Sequence, residues 1–321
     1  MKRYWIITCI TCLLWLPVSG WAQMLPDQAS GPTLEVQPRF PEPGTTVQIE
    51  LSDYAIASQV NRIEWYIDGQ VDPTRTNERN VELEVGTVGA TTNVEARLLL
   101  ASGQPQVART NITPSRVMLT VEPRTVTPSW YQGRALPSVG SQVRVVAIPQ
   151  TGAGLPANAY SYTWRINESI ANRGAVTGRF SETFTVPFGR GSTISVDVTD
   201  QTGAVVARRS VFVPSVEPKL HFYATNPLRG QQRLTLTDST PLIGEELTIR
   251  AEPFHLGQIT PDSDMMYEWE VNGQPVTNPS LDQQTITLQR GTGQGQFAVG
   301  FHVRNLNSLL QGAEADFMVT F

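Results

Sequence analysis

The residue types that most often carry chemistry are sparse and poorly placed in this 321-residue chain. Its three histidines are His221, His255 and His302. A zinc site needs three or four ligands converging at about 2 Å. These three fall on separate apolar-alternating stretches, and His302 is out of phase with Phe301 and Val303, so it faces away from them. Asp262-Ser263-Asp264 has the alternating carboxylates that calcium favours, which makes Asp262 and Asp264 the metal candidates. Met265 and Met266 stand where further ligands would be needed, so a solvated loop accounts for the pair better. No Gly-x-Ser-x-Gly is present, Lys219 is the only lysine after Lys2, and Glu268 with Glu270 has the period of a solvent-facing strand, not of a glycosidase pair. The glycine runs Gly86–Gly89, Gly189–Gly191 and Gly291–Gly295 could cradle phosphate, but a phosphate loop opens a helix and none follows here. The expectation is a protein that is not an enzyme, with no cofactor and no nucleic-acid partner.

One aromatic pair falls outside every periodic segment. Trp130-Tyr131 lies between Pro128 and Pro137, near Arg124 and Arg134. Flat aromatics with an arginine can stack a sugar ring or grip a protein partner, which makes Trp130, Tyr131 and Arg134 the binding candidates. Turned inward, the same aromatics would plug a joint between folded units.

The periodic segments that must position these residues come in three copies. Ile63-Glu-Trp65-Tyr-Ile67, Tyr162-Thr-Trp164-Arg-Ile166 and Tyr267-Glu-Trp269-Glu-Val271 alternate apolar and polar residues around a central Trp, and Asp-Gly, Asn-Glu or Asn-Gly follows at once. That is a half-buried strand entering a tight turn. The Trp residues are 99 and 105 positions apart, the length of a small domain. A turn Gly precedes each Trp by 21, 24 and 25 residues, and the centre of a long strand, Val94, Ile194 or Val299, follows it by 29, 30 and 30. Insertions are therefore confined to loops. About seven short strands per copy, with Trp65, Trp164 and Trp269 filling the space between sheets, predict three tandem immunoglobulin-like β-sandwiches. The boundaries read 34–113, 114–214 and 215–321, with short Pro-bearing links at Thr113-Pro114-Ser115 and Val213-Pro214-Ser215-Val216-Glu217-Pro218.

Composition bounds location. Met1-Lys2-Arg3, an apolar run from Tyr4 to Val18 and Ser19-Gly-Trp-Ala22 read as a secretory signal peptide over 1–22, followed by a polar lead-in over 23–33. Retained, the segment would anchor the protein to a membrane, although it is shorter than the roughly 20 apolar residues that span a bilayer. Cys9 and Cys12 both fall inside it, so the mature chain has no thiol and no disulfide, as is ordinary for bacterial envelope proteins. Residues 24–113, 114–214 and 215–321 carry 6, 10 and 6 basic against 12, 5 and 12 acidic side chains, so a basic middle lies between acidic ends. Neighbours of opposite sign attract, which favours close end-to-end packing.

The Trp-strand and Gly-turn pattern resembles bacterial polycystic-kidney-disease-type and immunoglobulin-like repeats of cell-surface proteins. Trp130-Tyr-Gln-Gly-Arg-Ala-Leu-Pro-Ser138, with Lys219-Leu-His-Phe-Tyr223 and Arg250-Ala-Glu-Pro253, resembles a group of exported multi-repeat proteins from small-genome bacteria. The Gly-Asp-Gly signature common after the Trp in the first family is reduced here to Asp68-Gly69. The resemblance implies an exported structural or interaction protein whose partners are other envelope or appendage proteins, with glycans as the alternative.

Overall fold

The computed structural model describes residues 31–54, 56–171, 173–226, 228–236, 238–258, 265–277 and 282–321. The signal-peptide reading, most of the lead-in and the calcium candidates Asp262 and Asp264 lie outside the described residues.

Each third of the chain closes two sheets over its own core. The first unit contains β1 (Thr33–Gln37), β2 (Thr46–Ser52), β3 (Val60–Ile67), β4 (Gln70–Asp72), β5 (Asn80–Glu84), β6 (Thr92–Leu100) and β7 (Pro105–Ile112). Its sheets run β1-β2-β5 and β4-β3-β6-β7. The second contains β8 (Arg116–Arg124), β9 (Gln142–Gln150), β10 (Ser161–Ile166), β11 (Ser169–Ile170), β12 (Val176–Thr177), β13 (Ser181–Thr185), β14 (Gly191–Thr199) and β15 (Val205–Pro214). Here the sheets are β13-β9-β8 and β11-β10-β14-β15, with β12 also on β10. The third contains β16 (Lys219–Asn226), β17 (Gly230–Thr235), β18 (Ser239–Pro241), β19 (Glu246–Phe254), β20 (Met265–Val271), β21 (Gln274–Val276), β22 (Thr285–Gln289), β23 (Gln296–Asn305) and β24 (Gly312–Thr320). They form β17-β16-β19-β22 and β18-β24-β23-β20-β21, and β18 lies parallel to β24. These are immunoglobulin-like sandwiches in tandem. Side chains alternate across each strand, so β2 buries Val47, Ile49 and Leu51 and exposes the residues between them.

The third unit departs from the simple repeat. β17 and β18 stand between β16 and β19, so Trp269 is on the unit's fifth strand and not its third. β17 reads Gly-Gln-Gln-Arg-Leu-Thr, a mostly polar edge strand without the apolar alternation that would reveal it in sequence. In the second unit Phe180 immediately precedes β13 and remains 37% exposed.

The three Trp strands repeat in atomic detail. Trp65 and Trp164 are 0% exposed and Trp269 2%. Each indole N–H donates to a backbone carbonyl, of Glu78 at 3.0 Å, Arg179 at 2.9 Å and Gln283 at 2.9 Å. The polar atom of a buried Trp thus keeps a partner. The turn after each strand has both central residues at positive φ: Asp68 and Gly69, Asn167 and Glu168, Asn272 and Gly273. That is the turn form whose twist suits a hairpin. The Asx side chain adds a clamp, its Oδ1 accepting from Asn93 N at 2.8 Å, Thr193 N at 3.0 Å and Ala298 N at 3.0 Å. Asp or Asn recurs there because only a short polar side chain tolerates the left-handed conformation and reaches the neighbouring strand.

Glu168 is the exception, a side chain at φ 70° where the other two turns have glycine. A left-handed non-glycine residue costs about 1–2 kcal/mol, and glycine loses about 0.5–1 kcal/mol through its unfolded-state entropy. Glu168→Gly should therefore stabilise the second unit by up to about 1 kcal/mol, read as a rise in its melting midpoint. A lower midpoint would show that the Glu168 side chain makes up for its backbone.

Candidate functional site at the joints between units

The linkers are tied down at both ends. At the first joint Pro41 O accepts from Ser115 N at 3.1 Å, Pro114 O accepts from Gly89 N at 2.9 Å, and Ser115 Oγ donates to Val206 O at 2.6 Å. Gly89 meets Gly152 backbone to backbone, so a Cβ on Gly152 would lie 2.5 Å from the Gly89 Cα. Only two glycines permit that approach. Glu42 of the acidic first unit pairs with Arg209 of the basic second unit, so the charge alternation appears here as a contact. Beside it Arg208 lies over the Phe40 ring at 5.6 Å and grips Asp197 through Nε at 2.5 Å and Nη2 at 2.9 Å, while Arg165 reaches the same carboxylate at 2.7 Å. Burial pushes the Asp197 carboxyl up, but the two guanidiniums outweigh burial and hold it below the usual carboxylate range. A cleft of about 1130 Å³ lies between these units.

The second joint is built from the long β8–β9 connection. Its first residues make a short antiparallel ladder with the third unit: Val126 N donates to Leu256 O at 2.7 Å, His255 N to Val126 O at 2.8 Å and Gln258 N to Arg124 O at 2.8 Å. The Val126 side chain packs against the third unit's core, which includes the fully buried Leu256. His255 Nδ1 accepts from Leu136 N at 3.0 Å, which requires that nitrogen unprotonated. Burial, with Lys219 nearby, lowers the His255 pKa and so favours the neutral form this bond needs. From the opposite side the turn between β23 and β24 sends in Gln311, 3% exposed. Its amide donates to Val139 O at 2.5 Å and Ser138 Oγ at 3.1 Å and accepts from Gly257 N at 2.5 Å.

Trp130 and Tyr131 cap this joint. The Trp130 ring stands edge-on to Tyr223 at 5.1 Å and to Phe254 at 6.4 Å, and Tyr131 meets Phe254 at 5.2 Å. Tyr223 and Phe254 belong to the outward-facing rows of β16 and β19, yet they are only 3% and 7% exposed. The loop from the second unit accounts for that burial. Arg134 is exposed and lines a different groove of about 490 Å³ with Leu119, Val121 and Phe212. The three candidates thus divide, with the two aromatics at the joint and the arginine elsewhere.

Beside Trp130 the joint leaves a polar cleft of about 650 Å³ over the outer face of the β17-β16-β19-β22 sheet. Arg250 lies on its floor, donating to Glu252 at 2.7 Å and Gln284 Oε1 at 3.1 Å and pairing with Asp282. Burial pushes the Asp282 carboxyl up, but hydrogen bonds from Thr285 and Gln284 and the charge of Arg250 bring it below its usual value. Among the described residues no three His, Cys, Asp or Glu side chains are grouped to hold a metal, and no helix is long and apolar enough to cross a membrane.

No protein-family model and no curated protein matches the sequence. Solved structures do. Fibronectin(III)-like modules of Clostridium thermocellum CbhA share 14% identity over 57% of this chain and 93% of theirs, with a TM-score of 0.28. The three N-terminal domains of the bacteriophage RB49 outer capsid protein Hoc share 11% over 90% and 98%, with a TM-score of 0.27. The central fibronectin-III array of RIM-binding protein shares 13% over 90% and 96%, with a TM-score of 0.28.

Proposed function

We propose that this chain is a non-enzymatic structural and interaction protein of a bacterial envelope, exported by its N-terminal segment, in which three sandwiches are locked in series to hold partner surfaces at fixed spacing. The observation that supports this most is the second joint. A flexible tether would need only the Pro-Ser link, whereas here a backbone ladder, the inserted Val126, the Gln311 clasp and the Trp130–Tyr131 cap all act on one interface. Domain pairs without a large apolar interface move relative to one another, so this much contact argues for a role that depends on geometry. The partners in this reading are other envelope or appendage proteins.

Small-angle scattering of the intact protein recovered from the envelope fraction tests the proposal. One persistent maximum dimension, unchanged by salt, is expected, from a chain whose mass begins at Gln23. A broad distribution typical of hinged domains would overturn the spacer role, and a retained Met1 in the membrane pellet would replace export with anchoring.

A further inference from the structure

We propose that the cleft beside Trp130 is a binding site for a neutral, hydroxyl-rich ligand, a sugar unit of an oligosaccharide. This goes beyond the spacer role and stands independently of it. Two atoms carry the inference. Thr225 and Gln231 both line the cleft, and the Oγ1 of the one and the Nε2 of the other are buried behind its surface without a hydrogen-bond partner. Buried polar groups are nearly always paired, and leaving one unpaired costs about as much as a hydrogen bond contributes. The strand register places the two side by side, Thr225 opposite Gln231, on the same outer face as Arg250. The larger cleft between the first and second units has no such atom in its lining.

The chemistry of the walls selects the ligand. An amide N–H requires an acceptor, and a threonine hydroxyl can donate or accept. Arg250 is already engaged by Glu252, Asp282 and Gln284, so the cleft presents no free cation to a phosphate or carboxylate, and its two carboxylates would repel either. Trp130 supplies the flat apolar surface on which the C–H face of a pyranose rests while its hydroxyls meet the polar floor. The volume is within the range of small-ligand sites, and a hydroxyl-bearing ring satisfies all three features at once.

The test uses the full chain titrated calorimetrically with soluble glucan, chitin and mannan oligosaccharides, and with an oligogalacturonate as the anionic comparator. At least one neutral oligosaccharide should bind and the anionic one should not. Gln231→Ala and Thr225→Val should each weaken that binding about tenfold, the effect of one hydrogen bond, with the melting midpoint unchanged or raised because an unpaired polar atom has been removed. Neither variant touches the Trp130 cap, so loss of binding cannot be ascribed to a loosened joint. Absence of binding by every neutral oligosaccharide, equal affinity in both variants, or preference for the anionic ligand would each overturn the assignment. None of these outcomes bears on the scattering result that tests the spacer.

Discussion

Trp164→Ala should unfold the second unit while the first and third remain folded. The side chain is fully buried, packs edge-on to Phe184 at 5.9 Å, and belongs to a core with Val145, Val196 and Val198. Truncating a core Trp costs about 3–5 kcal/mol, and orphaning the Arg179 carbonyl that accepts from its indole adds to the loss. A small domain has about 5–15 kcal/mol in total, so the loss consumes most or all of the unit's stability. The first unit loses the Glu42–Arg209 pair, the Gly89–Gly152 contact and the Arg208 guanidinium over Phe40, none of which is in its core, so it should stay folded with a midpoint close to the wild type. The third loses Val126 from the edge of its core, so its midpoint should fall while the fold persists. Scanning calorimetry resolves these transitions. An unmoved second transition would mean that packing around Trp164 tolerates a cavity of that size, against everything its burial implies.

The repeat was legible in the sequence because it rests on local rules. Alternation around Trp65, Trp164 and Trp269 is a pleat facing a core, and Asp68, Asn167 and Asn272 are the residues a hairpin turn of this twist requires. The joint was much less legible, since the residues that build it are far apart in sequence and follow no period. Gln311 reaches Val139 across 172 positions, and Leu256 pairs with Val126 across a loop-to-loop ladder. A lone Gln or Leu carries no signature of such a contact. One signal was available. Leu220, Phe222 and Ala224 take the inward positions of β16, which leaves Tyr223 on the outside, and Phe254 is likewise outward on β19. Bulky aromatics on a face that should meet water imply a cover, and Trp130 with Tyr131 supplies it. Charge read from composition was informative at one joint only. Glu42 and Arg209 meet across the first, whereas the second is held by neutral hydrogen bonds and rings.

Trp130→Ala should loosen the second joint without unfolding any unit. Trp130 is half-buried and belongs to no sandwich core, so its loss removes contact with Tyr223 and Phe254 and leaves each unit's own packing intact. At an interface, loss of such an aromatic anchor costs about 2 kcal/mol, which lowers the ratio of docked to undocked joints about thirtyfold. Three ladder hydrogen bonds and the Gln311 clasp remain. The mutant should therefore sample open arrangements in part, seen as a larger radius of gyration and a broadened distance distribution. The third unit should also melt lower, because Tyr223 and Phe254 become exposed on its outer face. The first transition gives the internal control, since that unit touches none of these residues. If melting and scattering both match the wild type, the ladder and Gln311 suffice to hold the joint. Trp130 would then have no mechanical role, and its place in the fold would be as a wall of the adjacent cleft.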